Sequence, residues 1–281
     1  MKLQFTKMQG AGNDYIYLDC RQNALPDHPA ELAQQLSRRH FSIGADGLIL
    51  IAPPLLADAD ATMVMYNADG SEGNMCGNGV RCVAEYLYTH GVRKDRIEVD
   101  TRRAGRKTLY RVAPHQWRAG MGRFSTRAAD LPVEGLGAGP LLDVPLVAAG
   151  QSWRVSCISM GNPHCVVRCD SLPTSAQLAE WGRALEKHTA FPQGVNAEFV
   201  RQDGPTAWTV MVWERGSGAT LACGTGACAA VAAQVLQGNC LQQTPVTVTL
   251  PGGTLTVEIL PDDTVLLTGP AETVYEGVLE I

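Results

Sequence analysis

The sequence predicts an α+β protein built from two related halves. Strand-like runs, alternating or rich in β-branched residues, outnumber the helical patterns and do not alternate regularly with them. A doubly wound parallel sheet would require that alternation, so it fits less well. A gap-free internal repeat, in which Cys76 and Cys223 correspond at an offset of 147 positions, predicts two pseudo-symmetric domains that arose by duplication.

The repeat carries the same local pattern twice. In both copies an apolar run that ends in an aromatic residue leads into a polar turn and then into Cys-Gly-polar-Gly. A helical segment follows in each copy, and a glycine, Gly91 or Gly238, closes it. Two further echoes keep the same order and nearly the same offset: Gly12-Asn13 with Gly161-Asn162, and Gly44-Ala45-Asp46 with Gly194-Val195-Asn196.

The individual elements follow from hydrophobic periodicity. Strands are predicted at residues 62–66, 96–99, 153–158, 208–213, 246–250 and 254–259. Apolar residues at 80, 83, 84 and 87 predict one face of a helix, and its Ala-rich counterpart at 226–237 predicts a fully buried helix. A further pair of helices is predicted near 29–40 and 175–188, and the Pro- and Gly-rich stretch 131–150 is predicted to be the connection.

Composition limits the function classes. Among 281 residues, 23 Lys and Arg against 28 Asp and Glu give a formal net charge of −5, which argues against nucleic-acid binding. No window approaches the roughly 18 apolar residues of a membrane span, and the first residues lack the apolar region of a signal peptide. We therefore expect a cytoplasmic protein that binds neither nucleic acid nor membranes.

Nine cysteines are present, an odd number in a chain whose core is large enough to need no disulfides. We expect reduced thiols. Only Cys165 and Cys169 have a spacing typical of zinc ligands, and no second pair accompanies them, so no metal site is expected. Most of the thiols are interpreted as small buried apolar groups.

Cys76 and Cys223 are the exceptions, because each stands immediately before a predicted helix. The partial positive charge of a helix N-terminus is expected to lower a thiol pKa and to bind a carboxylate. Inversion of a carbon centre requires a proton removed from one face and another delivered to the opposite face. Two matched thiols, one ionised and one protonated, suit that chemistry.

Several motifs together resemble the diaminopimelate epimerase family over nearly the whole chain. They are Gly12-Asn13-Asp14, Asn67-Ala68-Asp69-Gly70, Cys76-Gly77-Asn78-Gly79, Gly161-Asn162-Pro163-His164, Glu214-Arg215-Gly216 and Ala222-Cys223-Gly224-Thr225-Gly226. The resemblance implies cofactor-independent interconversion of LL- and meso-2,6-diaminopimelate, a homodimer, and two domains in which a mixed sheet is rolled around a central helix. It also implies domains at residues 1–122 with 271–281 and at 123–270, with the active site in the cleft between them.

The same resemblance implies roles for individual residues. Cys76 and Cys223 would be the catalytic acid and base, and His164 and Glu214 would tune them. The backbones of two dipeptides, Gly77-Asn78 and Gly224-Thr225, would bind the reacting carboxylate. The non-reacting end of the substrate would be bound by Asn13, Asn67, Asn162, Asn196, Glu214 and Arg215.

Two departures from the family pattern keep other functions open. Gly47 stands where many members carry Gln, and Ala219 stands where Glu is frequent. Neither change touches the two cysteines, but both concern substrate identity. A racemase of another amino acid, such as histidine, is the nearest alternative, and a non-catalytic amino-acid-binding protein or a thiol redox or metal protein is a remote one.

Overall fold

The structure is a computed structural model that describes residues 2–137 and 139–280. Two ends of the predicted domain ranges, residues 1 and 281, lie outside the described residues, as does residue 138 of the predicted connection. The chain forms two compact units, Met1–Gly120 with Thr268–Ile281 and Met121–Leu267. The predicted ranges 1–122 with 271–281 and 123–270, and a cleft between them, stay a prediction.

The first unit combines strands with two helices in chain order. Its elements are β1 (Lys2–Gly10), β2 (Asn13–Asp19), α1 (Pro29–Leu36), β3 (Gly47–Ala52), β4 (Ala61–Asn67), β5 (Glu72–Gly73), α2 (Gly77–Thr89), β6 (Arg96–Thr101), β7 (Lys107–Ala113) and β8 (Gln116–Arg123), which runs on across the unit boundary. Proline at the first position of α1 is compatible with a helix start, because that position needs no N–H donor within the helix.

The sheet of the first unit is mixed. Strand β1 pairs antiparallel with β2, β2 pairs parallel with β3, and α1 forms the crossover between them. Strand β3 pairs antiparallel with β4, which pairs parallel with β6 across α2, and β7 then pairs antiparallel with β6. Both parallel pairs are thus joined by a helix, as parallel pairing requires a long crossover.

Helix α2 is the central helix of this sheet. Its residues from 77 to 87 are all buried, and it packs against strands of both halves of the sheet, including β1, β2, β6 and β7. Because the helix is covered on several sides, polar side chains such as Arg81 are buried with it. The contacts of α2 with strands along the sheet confirm that the sheet is rolled around a central helix.

The second unit repeats these elements. They are the 3-10 helix Ala128–Asp130 and β9 (Val144–Ala148), β10 (Gln151–Ser159), β11 (Pro163–Arg168), α3 (Ser175–Glu186), β12 (Asn196–Gly204), β13 (Ala207–Glu214), β14 (Gly218–Thr220), α4 (Gly224–Leu236), β15 (Val246–Leu250), β16 (Gly253–Ile259) and β17 (Thr264–Pro270), which runs on across the unit boundary. The last strand of the chain, β18 (Glu272–Glu280), belongs to the first unit and pairs antiparallel with β1.

The two topologies correspond strand by strand. Strand β10 pairs antiparallel with β11, β11 pairs parallel with β12 across α3, β12 pairs antiparallel with β13, and β13 pairs parallel with β15 across α4. Even the turns agree, since Gly12 and Gly161 both adopt a positive φ, of 80° and 90°. The predicted α+β class and the predicted duplication are therefore confirmed.

The four predicted helices and six predicted strands are all present, with ends that differ by a few residues. Helix α4 is buried from Gly224 to Gln234 except at Thr225, as its Ala-rich sequence predicts. The predicted connection at 131–150 is wrong, because this stretch contains β9 and lies inside the second unit. Its prolines and glycines mark turns around an edge strand rather than a linker.

Candidate active site

Each of the two cysteines caps a central helix. Cys76 has extended backbone angles (φ −126°, ψ 122°) and precedes α2, and its Sγ accepts a hydrogen bond from the Gly79 N–H at 3.3 Å. Cys223 (φ −112°, ψ 110°) precedes α4 and accepts from the Gly226 N–H at the same distance. Sulfur therefore takes the place of the Ser, Thr, Asp or Asn oxygen that usually caps a helix.

The second glycine of each Cys-Gly-x-Gly motif lies against the end of a side chain from a strand of the same unit. A Cβ at Gly79 would lie 2.7 Å from Ile49 Cδ1, and a Cβ at Gly226 would lie 2.8 Å from Glu198 Oε1. A Cβ at either position would require the end of the Ile49 or Glu198 side chain to shift. The motif thus seats both thiols close to strands β3 and β12.

The first half-site consists of Cys76, Asn13, Asn78 and Asp46. The Cys76 thiol donates to Asn13 Oδ1 at 3.2 Å, and Asn78 Nδ2 lies 3.5 Å from the same oxygen. Asn13 Nδ2 donates to Asp46 Oδ2 at 2.7 Å. Strand β2 begins at Asn13 and the turn before β3 carries Asp46, so adjacent parallel strands bring the two side chains together.

A network of charged side chains adjoins the first half-site at Asp46. Asp14 forms ion pairs of 2.6 Å with both Lys7 and Arg39, and Arg39 reaches Asp46 at 3.0 Å. Burial alone would raise the pKa of Asp14, but the hydrogen bonds from Arg39 and Lys7 outweigh it, so the pKa is lowered. The Asp14 carboxylate therefore stays ionised at neutral pH.

Arg81 is a part of the first half-site that the sequence argument missed. It is wholly buried in α2, and its guanidinium donates to Asn78 Oδ1 at 2.8 Å and to the Gly77 carbonyl at 3.1 Å. A positive charge therefore lies beside the helix start that the sequence assigns to carboxylate binding. The available signal was an arginine in a helix whose apolar residues at 80, 83, 84 and 87 predict burial.

Asn67 has a turn role in the structure. Its Nδ2 donates to Ser71 Oγ at 2.9 Å, and its backbone pairs with Ser71 and Gly70 in the turn between β4 and β5. Asparagine, aspartate and glycine all favour turns, so Asn67 suits this position for structural reasons alone. A substrate contact of Asn67 stays a prediction.

The second half-site consists of Cys223, Glu214, His164, Glu198, Asn162 and Thr225. Burial raises the pKa of the Cys223 thiol well above its usual range, and the charges of Glu214 and Glu198 raise it further. The hydrogen bonds from Thr225 and the Gly226 N–H oppose this rise without cancelling it. The expectation of a lowered thiol pKa is therefore wrong for Cys223, because burial and two carboxylates outweigh the helix terminus.

Glu214 lies within the electrostatic reach of Cys223 and His164. Its Oε1 accepts a 2.5 Å hydrogen bond from Thr220 Oγ1. Burial is the largest cause of a raised Glu214 pKa, while the hydrogen bonds from Thr220 and Cys223 lower it. The tight turn between β13 and β14 explains the contact, since Glu214 pairs with Gly218 two residues before Thr220.

His164 and Asn162 complete this half-site. His164 is wholly buried; its Nδ1 lies 2.7 Å from Glu198 Oε1 and its Nε2 lies 3.0 Å from Asn162 Oδ1. Asn162 Nδ2 lies 3.4 Å from Thr225 Oγ1, which is 3.5 Å from Cys223 Sγ. A chain of polar contacts therefore joins the histidine to the thiol.

Asn196 and Arg215 meet next to this chain. Asn196 Nδ2 donates to the Pro163 carbonyl at 2.9 Å, and its Oδ1 accepts from the Arg215 N–H at 3.0 Å. The Arg215 guanidinium is exposed and donates to the Gln193 carbonyl at 3.2 Å. Asn196 thus fixes the backbone that carries Arg215, and both ends of its amide are used within the unit.

All nine cysteines are thiols in the described part of the chain. Burial raises the pKa of Cys20 to about 11 and that of Cys82 and Cys157 to about 12, as expected for packing thiols. Residues 2–137 and 139–280 contain no cluster of three or more His, Cys, Asp or Glu side chains arranged to hold a metal ion.

Among the described residues, no helix is both long enough and apolar enough to cross a membrane.

A family model and full-length relatives match this chain. The family model described as diaminopimelate epimerase matches residues 5–125 and again 156–274. A diaminopimelate epimerase from Synechocystis is 44% identical over 284 residues, which cover 100% of both chains. One from Desulfitobacterium hafniense is also 44% identical, over 99% of this chain and 98% of its own.

Solved structures with much lower identity share the fold. A phenazine biosynthesis protein from Bacillus anthracis superimposes with a TM-score of 0.72 at 14% identity, and the match covers 100% of each chain. A hydroxyproline epimerase from Agrobacterium vitis gives a TM-score of 0.68 at 16% identity, covering 99% of this chain and 91% of its own. These similarities concern the fold alone.

Proposed function

The chain belongs to the diaminopimelate epimerase family, and from that premise we propose that it interconverts LL- and meso-2,6-diaminopimelate, with the thiols of Cys76 and Cys223 as its two acid–base groups. The observation that carries the proposal is the identical capping geometry of the two cysteines, each with a glycine N–H 3.3 Å from its sulfur. A packing cysteine has no need to be a helix cap in both halves of a duplicated chain.

The reaction then proceeds by proton transfer to and from sulfur. The thiolate of one cysteine removes the Cα proton, so that the C–H bond breaks, an S–H bond forms and the electron pair moves onto the substrate carboxylate. The thiol of the other cysteine delivers its proton to the opposite face of the same carbon. The enzyme ends with the protonation states of the two cysteines exchanged, and the reverse reaction restores them.

Helix starts stabilise the charge that develops on the carboxylate. Gly77 and Asn78 open α2, and Gly224 and Thr225 open α4; we assign their backbones to the reacting carboxylate, because N–H groups at a helix N-terminus bind anions. The buried guanidinium of Arg81, 2.8 Å from Asn78 Oδ1, adds positive charge at the first of these sites.

The distal end of diaminopimelate is a second amino acid, so it needs a cation for its carboxylate and an anion for its ammonium group. Arg215 and Glu214 supply these charges. Asparagine amides add donors and acceptors without net charge, and we assign Asn13, Asn67, Asn162 and Asn196 to this end as well. Asn196 contributes by holding the Arg215 backbone, and His164 and Glu214 tune the thiols.

Proton exchange measured by NMR tests the proposal. Purified enzyme is incubated in D2O, without added cofactor, with LL-diaminopimelate and separately with L-histidine and L-glutamate. We expect deuterium at Cα of diaminopimelate together with appearance of the meso form. Exchange only in another amino acid would replace the substrate and keep the thiol chemistry. Absence of exchange from folded, reduced protein would overturn the enzymatic assignment.

Family membership also leads us to propose a homodimer in the cytoplasm. Sedimentation velocity at several protein concentrations tests the first part, and fractionation of the source cells tests the second. A sedimentation coefficient of a monomer at every concentration would contradict the dimer.

A further inference from the structure

Glu198 of β12 is a wholly buried carboxylate that the sequence argument did not single out. Its Oε1 is 2.7 Å from His164 Nδ1, whereas its Oε2 is buried and makes no hydrogen bond with any of the described residues. An incompletely paired carboxylate in the interior is costly to the folded state. Its presence therefore calls for a role other than stability.

The internal duplication identifies the position that corresponds to Glu198 in the first unit. Strands β12 and β3 are equivalent, and each pairs parallel with the preceding strand from its first residue, Asn196 or Gly47, so the strand pairing shifts the equivalence by one residue from the sequence echo of Asp46 with Asn196. Two residues further along each strand lie Glu198 and Ile49. One half of the molecule thus carries an acid at a position where the other half carries an aliphatic side chain.

The packing of the central helices gives the same equivalence independently. A Cβ at Gly226 would lie 2.8 Å from Glu198 Oε1, and a Cβ at Gly79 would lie 2.7 Å from Ile49 Cδ1. The Ile49 and Glu198 side chains therefore each lie next to the glycine whose N–H donates to the cysteine sulfur. The two helix starts have the same geometry but different electrostatic surroundings.

Several groups from different elements act on Cys223. They are Glu214 from β13, Glu198 from β12, and Thr225 and the Gly226 N–H from α4, while His164 from β11 acts on Glu214. The two carboxylates raise the pKa of the thiol, in addition to burial, and the α4 groups lower it. Glu198 is the one of these acids that is wholly buried, so water screens its charge least.

We propose that Glu198 is a positioning residue that makes the two half-sites chemically unequal: it orients His164 through Nδ1 and keeps Cys223 as the proton-carrying thiol of the resting enzyme. Cys223 then enters the reaction as the proton donor. That catalytic consequence rests on the proposed function, whereas the proton placement at Cys223 does not depend on any substrate.

Iodoacetamide alkylation of Cys223, followed against pH by peptide mass spectrometry, tests the placement without turnover. Glu198→Gln keeps the size of the side chain and removes its charge. We expect the midpoint of Cys223 alkylation to fall by about one pH unit, which is about a tenfold faster reaction at a fixed pH below the midpoint. Glu134→Gln, an exposed glutamate of the same unit, is the matched control and should leave the profile unchanged.

Rescue and a wild-type measurement complete the test. Glu198→Asp retains the charge and should keep the Cys223 profile within about threefold of wild type, where each pH unit corresponds to a factor of ten. In the wild type, the nitrogen NMR spectrum of the His164 imidazole should show a proton on Nδ1, because the Glu198 carboxylate can only accept a hydrogen bond. This measurement needs no variant, so it tests the proposal even where the Gln variant does not fold. An unprotonated Nδ1, or an alkylation profile identical in wild type and a folded Gln variant, would overturn the proposal. Loss of diaminopimelate turnover would not, because neither readout uses substrate.

Discussion

The side-chain amide of Asn13 donates a 2.7 Å hydrogen bond to the Asp46 carboxylate. A carboxylate can only accept, so this bond determines which end of the amide turns the other way. The result is that Asn13 presents Oδ1, not its amino group, to the Cys76 sulfur at 3.2 Å. Asp46 therefore orients the Asn13 amide so that the Cys76 thiol faces the acceptor oxygen Oδ1.

Asp46→Asn should remove the fixed orientation of the Asn13 amide, because an asparagine at position 46 can donate or accept and allows the Asn13 amide to rotate. We expect kcat for diaminopimelate to fall by about tenfold to a hundredfold, the effect of a small misplacement at the reacting centre, with a smaller change in KM. Asp27→Asn, at an exposed position, is the control. An unchanged kcat in a folded Asp46→Asn protein would show that the amide orientation has no influence on the reaction.

Cys76→Ser and Cys223→Ser should each lower epimerisation by about a thousandfold or more, because a hydroxyl is a far weaker acid than a thiol and, un-ionised at neutral pH, a far poorer base than a thiolate. Meso-diaminopimelate formation, followed by chiral chromatography, measures the loss. Cys169→Ser changes a half-buried thiol of the second unit outside the half-sites and should retain full activity. A wild-type rate in either of the first two variants would remove that cysteine from the mechanism.

The pair formed by Asp14 and Lys7, 2.6 Å apart and largely buried, should contribute stability that depends on pH. Because the folded-state pKa of Asp14 is lowered, the contribution is present above the ordinary carboxyl pKa of about 3.9 and is lost as the pH falls through the folded value. Asp14→Asn leaves Lys7 buried without its partner and should cost about 3 kcal/mol at pH 7.

Thermal unfolding of wild type and Asp14→Asn between pH 7 and pH 3 measures this contribution. The difference in Tm should shrink as the pH falls. A difference that stays constant, or that grows on acidification, would contradict the assignment of the ion pair as its source.

Gly47→Ala should destabilise the first unit. A Cβ at Gly47 would lie 2.1 Å from the Tyr66 carbonyl oxygen and 2.8 Å from the Tyr15 ring, so the substitution forces β3 and β4 apart and should cost about 3 kcal/mol of unfolding free energy. Gly120→Ala, whose Cβ would meet its nearest neighbour at 3.8 Å, is the control. Denaturant unfolding compares the midpoints of the two variants, provided that their m-values are equal. Equal midpoints would disprove the clash at Gly47.

The same contact bears on substrate range. Gln at position 47, which the sequence comparison with the family suggested as a missing substrate contact, would meet backbone and an aromatic ring in this chain rather than open space. The Tyr15 ring occupies part of the room that a longer side chain would need. Gly47 is thus a packing requirement here.

Much of the fold could be predicted from local patterns. The helices α2 and α4 were predictable because apolar periodicity and a closing glycine are local signals, and the cysteine caps were predictable because Cys76 and Cys223 directly precede them. The short strand β9 was not predicted, since it lies in a stretch of prolines and glycines that reads as a connection. Edge strands depend on the neighbour they pair with, which a local pattern does not contain.

The duplication, the α+β class and the two helix-capping cysteines could be predicted from the amino-acid sequence alone, because each depends on residues close together in the chain or on a repeat that can be aligned. The hydrogen bonding and the pKa values at the two half-sites depend on the three-dimensional fold. Glu198 reaches His164 across 34 positions of sequence, Asp46 reaches Asn13 across 33, and the burial that raises the Cys223 pKa comes from strands that surround α4. Desolvation and the orientation of hydrogen bonds arise from neighbours that folding brings together, so no local pattern can report them.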